Sequence, residues 1–388
     1  VFFGIRSMRA IPGRARAWQE GIDRAARERT QRILALFTEK EARDELGLGP
    51  ISGAISDQLF PGTSTIQTRL RYAFFIPWIY QRLANEKTPN HRVERAEKET
   101  EQQLIAALLE TSDTQGVLGQ RARESLTRYA SSVYWANLGS WGIRHFDGSQ
   151  EDLHTNFDVA EAPWDPQLPA APATFPQGAS FQLTKEEASY LRDKLVSRHA
   201  SSLLTHLAVT PLAIETLEAP WELEEERVLP AHRVLLREAR RFGTVMYGAS
   251  ILYNLMLSEK VANDDWRTLY MGALERWLET LPGEQLASWD VVGFWPHVLG
   301  RGHNVTTLTR SFVTDWVNVA RSGSADVVLG SRARGLVERR ERMLKGPQSR
   351  FASPRALSQW RGASGAFVNT FRWRTARRFL LDLYAAEV

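Results

Sequence analysis

The sequence predicts a mainly α protein, with two helical lobes joined by a proline-rich linker. Helix-start signals recur along the chain, apolar–polar alternation is scarce, and residues 163–176 hold five of the 17 prolines. The first two observations favour helices over a sheet of any size. The third marks a stretch that cannot continue a helix and stiffens toward an extended form. A 388-residue chain with 43% hydrophobic and 24% charged residues has the means to bury a core and the length for more than one compact part. No apolar run approaches the roughly 20 residues needed to cross a bilayer, so no membrane partner is expected. Cysteine is absent, which excludes disulfides, thiolate metal sites and a Cys nucleophile. It also agrees with a reducing, cytoplasmic setting.

The elements follow in order. The chain opens Val1-Phe2-Phe3 without a methionine, which suggests an alternative start codon or a missing upstream piece. Residues 1–20 read as a basic N-terminal extension, with Arg6, Arg9, Arg14 and Arg16. The N-terminal helical lobe is expected over 21–155. Its first helix runs Gly21–Phe37, and Thr38 with Glu41 forms a capping box for a second that stops at Gly47. Glu94–Leu109 is another helix. The linker is placed at 156–182 and the C-terminal helical lobe at 183–388. Thr184 with Glu187 caps a helix to about Leu195, and Arg233–Leu257 and Trp266–Leu278 follow, with a weaker break over 221–230.

Three segments carry candidate binding residues. In 59–80, LFPGTSTIQTRLRYAFFIPWIY, a turn at Phe60-Pro61-Gly62 precedes a helix capped by Thr63, Ser64 or Thr65. Ile66, Leu70, Ala73 and Phe74 form its buried face, Gln67, Arg69 and Arg71 lie off that face, and Pro77 kinks it. Hydroxyls and free N–H groups at a helix start suit an anion; the same pattern is also that of a capped helix with two solvated arginines. In 119–148, a short helix, a turn, the helix Val133–Trp141 capped by Ser131 or Ser132, and a hairpin at Ile143–Gly148 follow the order of a winged helix-turn-helix. Asn137 would then face a groove and Arg144 would sit on the wing; an ordinary αα-hairpin packed by aromatics reads equally from these residues. The third segment, NTFRWRTARRFLLDLY, is a helix capped by Asn369 or Thr370, with Trp373, Ala376, Leu380 and Leu383 inward and Arg372, Arg374, Arg377 and Arg378 available to phosphate. Upstream, Trp360 and Arg361 add an aromatic–arginine pair suited to a stacked base.

The FPGTSTIQTRLRYAFFIPWIY stretch closely resembles the signature of a prokaryotic family, domain of unknown function six-three-six-one. The likeness continues through GVLGQRARESLTRYASSVYWANLGSWGIRHF, FPQGASFQLTKEEASYLRDKL and NTFRWRTARRFLLDLY. It implies no particular chemistry. It implies an accessory role in defence and mobile-element gene neighbourhoods, beside partners such as a helicase or nuclease.

Charge distribution points the same way. Residues 327–388 hold 13 Lys and Arg against 4 Asp and Glu, a net of +9 in a chain whose total is +4. A localised basic stripe is the electrostatic footprint of nucleic-acid binding. No phosphate loop, GxGxxG, GxSxG or HExxH occurs. His199 and His206 lack an obvious third ligand, and Glu97-Lys98 matches only the tail of a metal-nuclease motif. No cofactor and no metal are therefore expected. The leading expectation is a non-catalytic nucleic-acid-associated adaptor in an antiphage-defence or DNA-processing complex. The alternatives are a metal-dependent nuclease or other phosphodiester-acting enzyme, and a purely protein-binding scaffold.

Overall fold

The computed structural model describes residues 44–120 and 128–386. The basic extension, the expected helix Gly21–Phe37, the Thr38–Glu41 capping box and most of the helix expected before Tyr129 lie outside these residues. The described chain forms 15 α-helices and no strand. In order they are α1 (Gly49–Leu59), α2 (Tyr72–Asn85), α3 (Asn90–Leu109), α4 (Ala130–Ser140), α5 (Gln150–Thr155), α6 (Lys185–His199), α7 (Leu203–Val209), α8 (Pro230–Lys260), α9 (Asp264–Thr280), α10 (Val291–Phe294), α11 (Thr307–Arg321), α12 (Ala325–Leu329), α13 (Ser331–Lys345), α14 (Pro354–Ser358) and α15 (Trp373–Ala385). No described helix is long and apolar enough to cross a membrane.

The chain divides into two compact units, and the cut differs from the one the prolines suggest. Of the described residues, one unit takes 49–120, 128–243, Trp289–Thr307 and 369–386; the other takes 44–48, Thr244–Ser288 and Leu308–Val368. The segment 156–182 falls inside the first, larger unit. There its apolar residues Trp164, Leu168, Phe175 and Phe181 are buried. Trp78 Nε1 donates to the Pro169 carbonyl at 2.7 Å, and Phe75 stacks on Phe175 at 5.9 Å. The carboxylate of Asp165 accepts from the Tyr190 hydroxyl at 2.9 Å and pairs with Lys194. Proline stiffness here shapes a covering strap over α2, an apolar helix with Tyr72 to Tyr80 buried throughout.

In the larger unit, local capping follows the sequence at α6, where Thr184 and Glu187 form the reciprocal box. α4 is capped differently. Neither Ser131 nor Ser132 closes it. The carboxylate of Glu101, from α3, accepts the backbone N–H groups of Ala130 at 2.8 Å and Ser131 at 3.0 Å. An anion at a helix start satisfies orphan donors and opposes the positive end of the dipole. Glu97, one turn earlier on α3, is 1% exposed and also hydrogen-bonds Glu101. Burial first, then the neighbouring Glu101, push its pKa up to about 9, so at neutral pH Glu97 keeps its proton. The expected hairpin after α4 is a single antiparallel bridge, Arg144 to Trp164. The wing is therefore not formed by Ile143–Gly148, because its partner is the proline-rich strap.

The other unit is built around indoles. Trp277 and Trp316 stack at 6.2 Å and donate to the carbonyls of Thr244 and Val245, on α8, at 2.7 and 2.8 Å. Arg350 pairs with Glu45 at 2.9 Å, and Glu341, fully buried, accepts from Ser349 Oγ and the Arg350 amide. Asn263 caps α9, with Asp264 and Asp265 in its first turn.

Two outcomes are expected. A Cβ at Gly248 would lie 2.1 Å from the Trp277 ring, so Gly248→Ala should destabilise the protein by about 1–3 kcal/mol in urea unfolding despite alanine's helix preference. A stability gain would show that the indole moves freely. Glu97 is the second case. Because its folded pKa lies above the unfolded one, its contribution is fully present below about 4.5 and is lost as pH rises toward about 9. Glu97→Gln keeps a donor without an ionisable proton. Its melting temperature relative to the parent should therefore rise steadily from pH 5 to pH 9; a pH-independent difference would refute the protonated assignment.

Candidate functional site

Two of the three candidate segments meet the terminal helix in the larger unit. Residues 63–71 are irregular, and the helix expected from Thr63–Thr65 starts instead at Tyr72 with no side-chain cap. The reason is tertiary: the backbone of this stretch bonds elsewhere. Tyr134, on α4, accepts the amides of Thr68 and Arg69 at 2.9 and 3.0 Å through its hydroxyl oxygen, which donates to the Arg69 carbonyl at 2.7 Å. Asp382, on α15, accepts the Leu70 amide at 2.9 Å. Thr375 Oγ1 donates to the Ser64 carbonyl at 2.9 Å.

Arg69 and Arg71 do not point to solvent. Arg69 is 5% exposed. Its Nε and Nη2 pair with the Asp382 carboxylate at 3.0–3.1 Å. Its Nη1 donates to Asp113 at 2.6 Å and the Gln115 carbonyl at 3.0 Å, and the guanidinium lies 4.3 Å from the Phe181 ring centroid. Burial works against the Arg69 charge, but Asp382 and Asp113 overcome it and hold its pKa above the usual arginine value. Burial raises Asp382 above the ordinary carboxylate range while Arg69 and the Leu70 amide pull it back. Arg71 donates to Glu187 at 2.7 Å and to the Ser180 carbonyl at 3.0 Å, so the capping-box glutamate of α6 also neutralises a buried cation. Ile66, expected inside, is instead 42% exposed.

Thr63 is buried, its hydroxyl donating to the Phe60 carbonyl at 2.6 Å. Ser64 Oγ is buried without a hydrogen-bond partner. Asn137 faces inward, 1% exposed, and its amide donates to the Gly62 carbonyl at 3.1 Å; the outward, groove-reading position is corrected by this packing. Arg144 is half-buried 4.7 Å from the Trp135 ring centroid and donates to the Trp135 and Gly148 carbonyls. In the other unit, Trp360 is buried, its indole donating to Asn254 at 3.1 Å and packed 6.1 Å from Trp266. It is not open to a stacked base. Arg361 beside it is exposed.

α15 begins one turn later than the Asn369 or Thr370 cap implies. Phe371 and Arg372 take left-handed backbone, φ 53° and 68°, a costly conformation for side-chain-bearing residues. Local bonds hold it: Asn369 Oδ1 accepts the Phe371 amide at 2.8 Å, and Arg372 donates to Asp57 at 2.5 Å and the Thr63 carbonyl at 2.8 Å. Arg377 reaches Leu217 and Glu218, Arg378 reaches Gln115, and Arg374 is exposed. The junction thus combines a buried Arg69–Asp382 core with an arginine-bearing outer side of α15. His199 bonds Ser140, whereas His206 stands 5.9 Å from the His232 ring. Among the described residues no group of three His, Asp or Glu side chains is placed to hold a metal ion.

Removing one partner of a buried pair strands the other charge. Asp382→Asn should therefore cost about 3–5 kcal/mol in urea unfolding, and replacing Arg69 and Asp382 together by methionine and leucine should recover most of it. Equal losses in the single and double variants would mean that packing, not charge, holds the junction.

A family model described as a family of unknown function, DUF6361, matches residues 15–387. No curated protein and no solved structure matches the chain. The match spans both units and contains the Arg69–Asp382 junction, and the chain accordingly belongs to the DUF6361 family.

Proposed function

We propose that the chain is a non-catalytic, nucleic-acid-associated adaptor subunit of a prokaryotic defence or DNA-processing assembly, and that the outer side of α15 is its phosphate contact. The observation that carries this reading is the state of the α15 arginines. Arg374 is exposed. Arg372 and Arg377 pair with carboxylates that are themselves open to solvent, the side chains of Asp57 and Glu218 being 44% and 82% exposed. The arginine side chains of these two pairs are 22% and 21% exposed, and Arg372 is tied to its strained backbone, so the phosphate contact centres on Arg374 and its neighbour Arg378; Arg–phosphate bonds are charge-assisted and often bidentate. The buried arginines, Arg69 and Arg71, serve the fold instead and are set apart from this contact.

The test is anisotropy of a labelled duplex and a labelled single strand, titrated at several salt concentrations. Affinity should fall with salt, since each neutralised duplex phosphate releases about 0.9 counterion. Arg374→Gln with Arg378→Gln should reduce the slope by roughly two while leaving the circular dichroism unchanged. An unchanged slope with intact fold would remove the phosphate contact from α15.

A further inference from the structure

One face of α15 is already covered where the helix begins. Trp373 and Arg377 stand one turn apart on it, and the segment 217–221 lies along it. Trp373 Nε1 donates to the Leu217 carbonyl at 2.9 Å. Arg377 Nη1 donates to the same carbonyl and, at 3.3 Å, to Glu218 Oε1. The Trp221 and Phe371 rings meet edge to face at 6.5 Å. Resting on the reading of α15 as the phosphate contact, we propose that this segment is autoinhibitory: the Glu218 carboxylate occupies Arg377 and withholds it from nucleic-acid phosphate.

The contact has two parts. The Leu217 carbonyl, a main-chain acceptor shared by Trp373 and Arg377, ties the segment to the helix. That tie is neutral and leaves the guanidinium its charge. Glu218 supplies the opposing charge. Its carboxylate stands in solvent, whereas the Arg377 side chain is mostly covered, so the anion lies at the solvent side of the pair. A phosphate oxygen approaching Arg377 meets this carboxylate first, and both are acceptors for the same guanidinium N–H groups. A pair with so exposed a partner adds little to stability, unlike Arg69 with Asp382, where both side chains are buried. The effect of Glu218 is therefore on what reaches the helix.

A neighbouring carboxylate strengthens the barrier. Glu222 is exposed, and its carboxylate accepts the Glu218 amide at 2.8 Å. This bond fixes the turn that carries Glu218 and sets a second negative charge beside it. Like-sign charge at the rim of a contact lowers the rate of encounter and changes its salt dependence. On the adjacent face Arg378 bonds the neutral amide of Gln115 instead. The helix thus offers phosphate one face and holds the other in reserve.

Anisotropy of a labelled duplex over a salt series tests this on the parent chain, Glu218→Gln, Arg377→Gln and the two changes combined. Glutamine keeps an acceptor for Arg377 and removes only the charge. Glu218→Gln should tighten binding about tenfold, the weight of one charge-assisted hydrogen bond. It should also steepen the salt slope by about 0.9, one more phosphate neutralised, with thermal unfolding unchanged. Adding Arg377→Gln should return affinity and slope to the parent values. Equal binding by the parent and Glu218→Gln would overturn the autoinhibitory contact and leave the phosphate contact of α15 standing. A gain that survives Arg377→Gln would also overturn it, because Glu218 would then act as distant charge and not through Arg377. Absence of binding by all of these proteins would remove the phosphate contact itself, and the autoinhibition with it.

Discussion

The larger unit is organised around one buried ion pair, Arg69 with Asp382, which joins residues 313 positions apart. The guanidinium is a rigid planar fork, and four of its N–H positions are spent on Asp382, Asp113 and the Gln115 carbonyl. Asp382 in turn accepts the Leu70 amide. Burying such charges is expensive unless each remaining lone pair and proton finds a partner; here nearly all do. The condition can only be met if the 63–71 stretch, the loop at 113–115 and α15 are simultaneously in place. The pair is thus a specification of geometry more than a source of stability. A lysine, with three donors on a flexible stem, could not fix the same three segments.

This constraint divides the arginines of the chain into two populations that sequence spacing does not separate. Arg69 and Arg71 stand two residues apart, yet face different partners, Asp382 and Glu187, because the segment is irregular where a helix was expected. In the terminal basic segment Arg340 and Arg350 are likewise interior, bonding the Leu46 carbonyl and Glu45. Arg340 is held below the ordinary arginine value by burial. Part of the +9 of residues 327–388 is therefore structural, and net charge overstates the surface available to a polyanion. The arginines on α15 differ because their partners are solvent-exposed carboxylates and an amide, not desolvated ones.

Much of the secondary structure was legible because it is locally determined. The Thr184–Glu187 box needs only four consecutive positions, and α3, α8 and α9 follow apolar periodicity that a single strand of sequence displays. α11 and α13 carry equally regular patterns, with Phe312, Val313, Trp316 and Val317 buried in the first, but no Ser/Thr-x-x-Glu box like that of Thr184 and Glu187 introduces either. What could not be read is non-local. The cap of α4 is Glu101, about thirty positions away, and nothing in the composition of α4 announces it. The proline-rich segment reads as a linker because proline forbids a helix; that its aromatic residues are buried against Phe75 and Trp78 is a property of α2, not of the prolines.

The same logic holds for the glutamates of α3, whose roles their spacing does not reveal. Glu97 and Glu101 look like ordinary members of a charged helix, and Glu97-Lys98 invites comparison with a nuclease motif. Their chemistry is decided by what lies across from them. Lys98 turns to Glu94 on its own helix, whereas Glu101 turns to the N–H groups of α4. Burial first, and then the Glu101 carboxyl beside it, keep the proton on Glu97. Burial and the neighbouring cap of α4 thereby set two glutamates one turn apart on α3 to different tasks. The different roles of Glu97 and Glu101 follow from burial and from the requirement to cap α4, just as the division of the arginines follows from the requirement to seat Arg69.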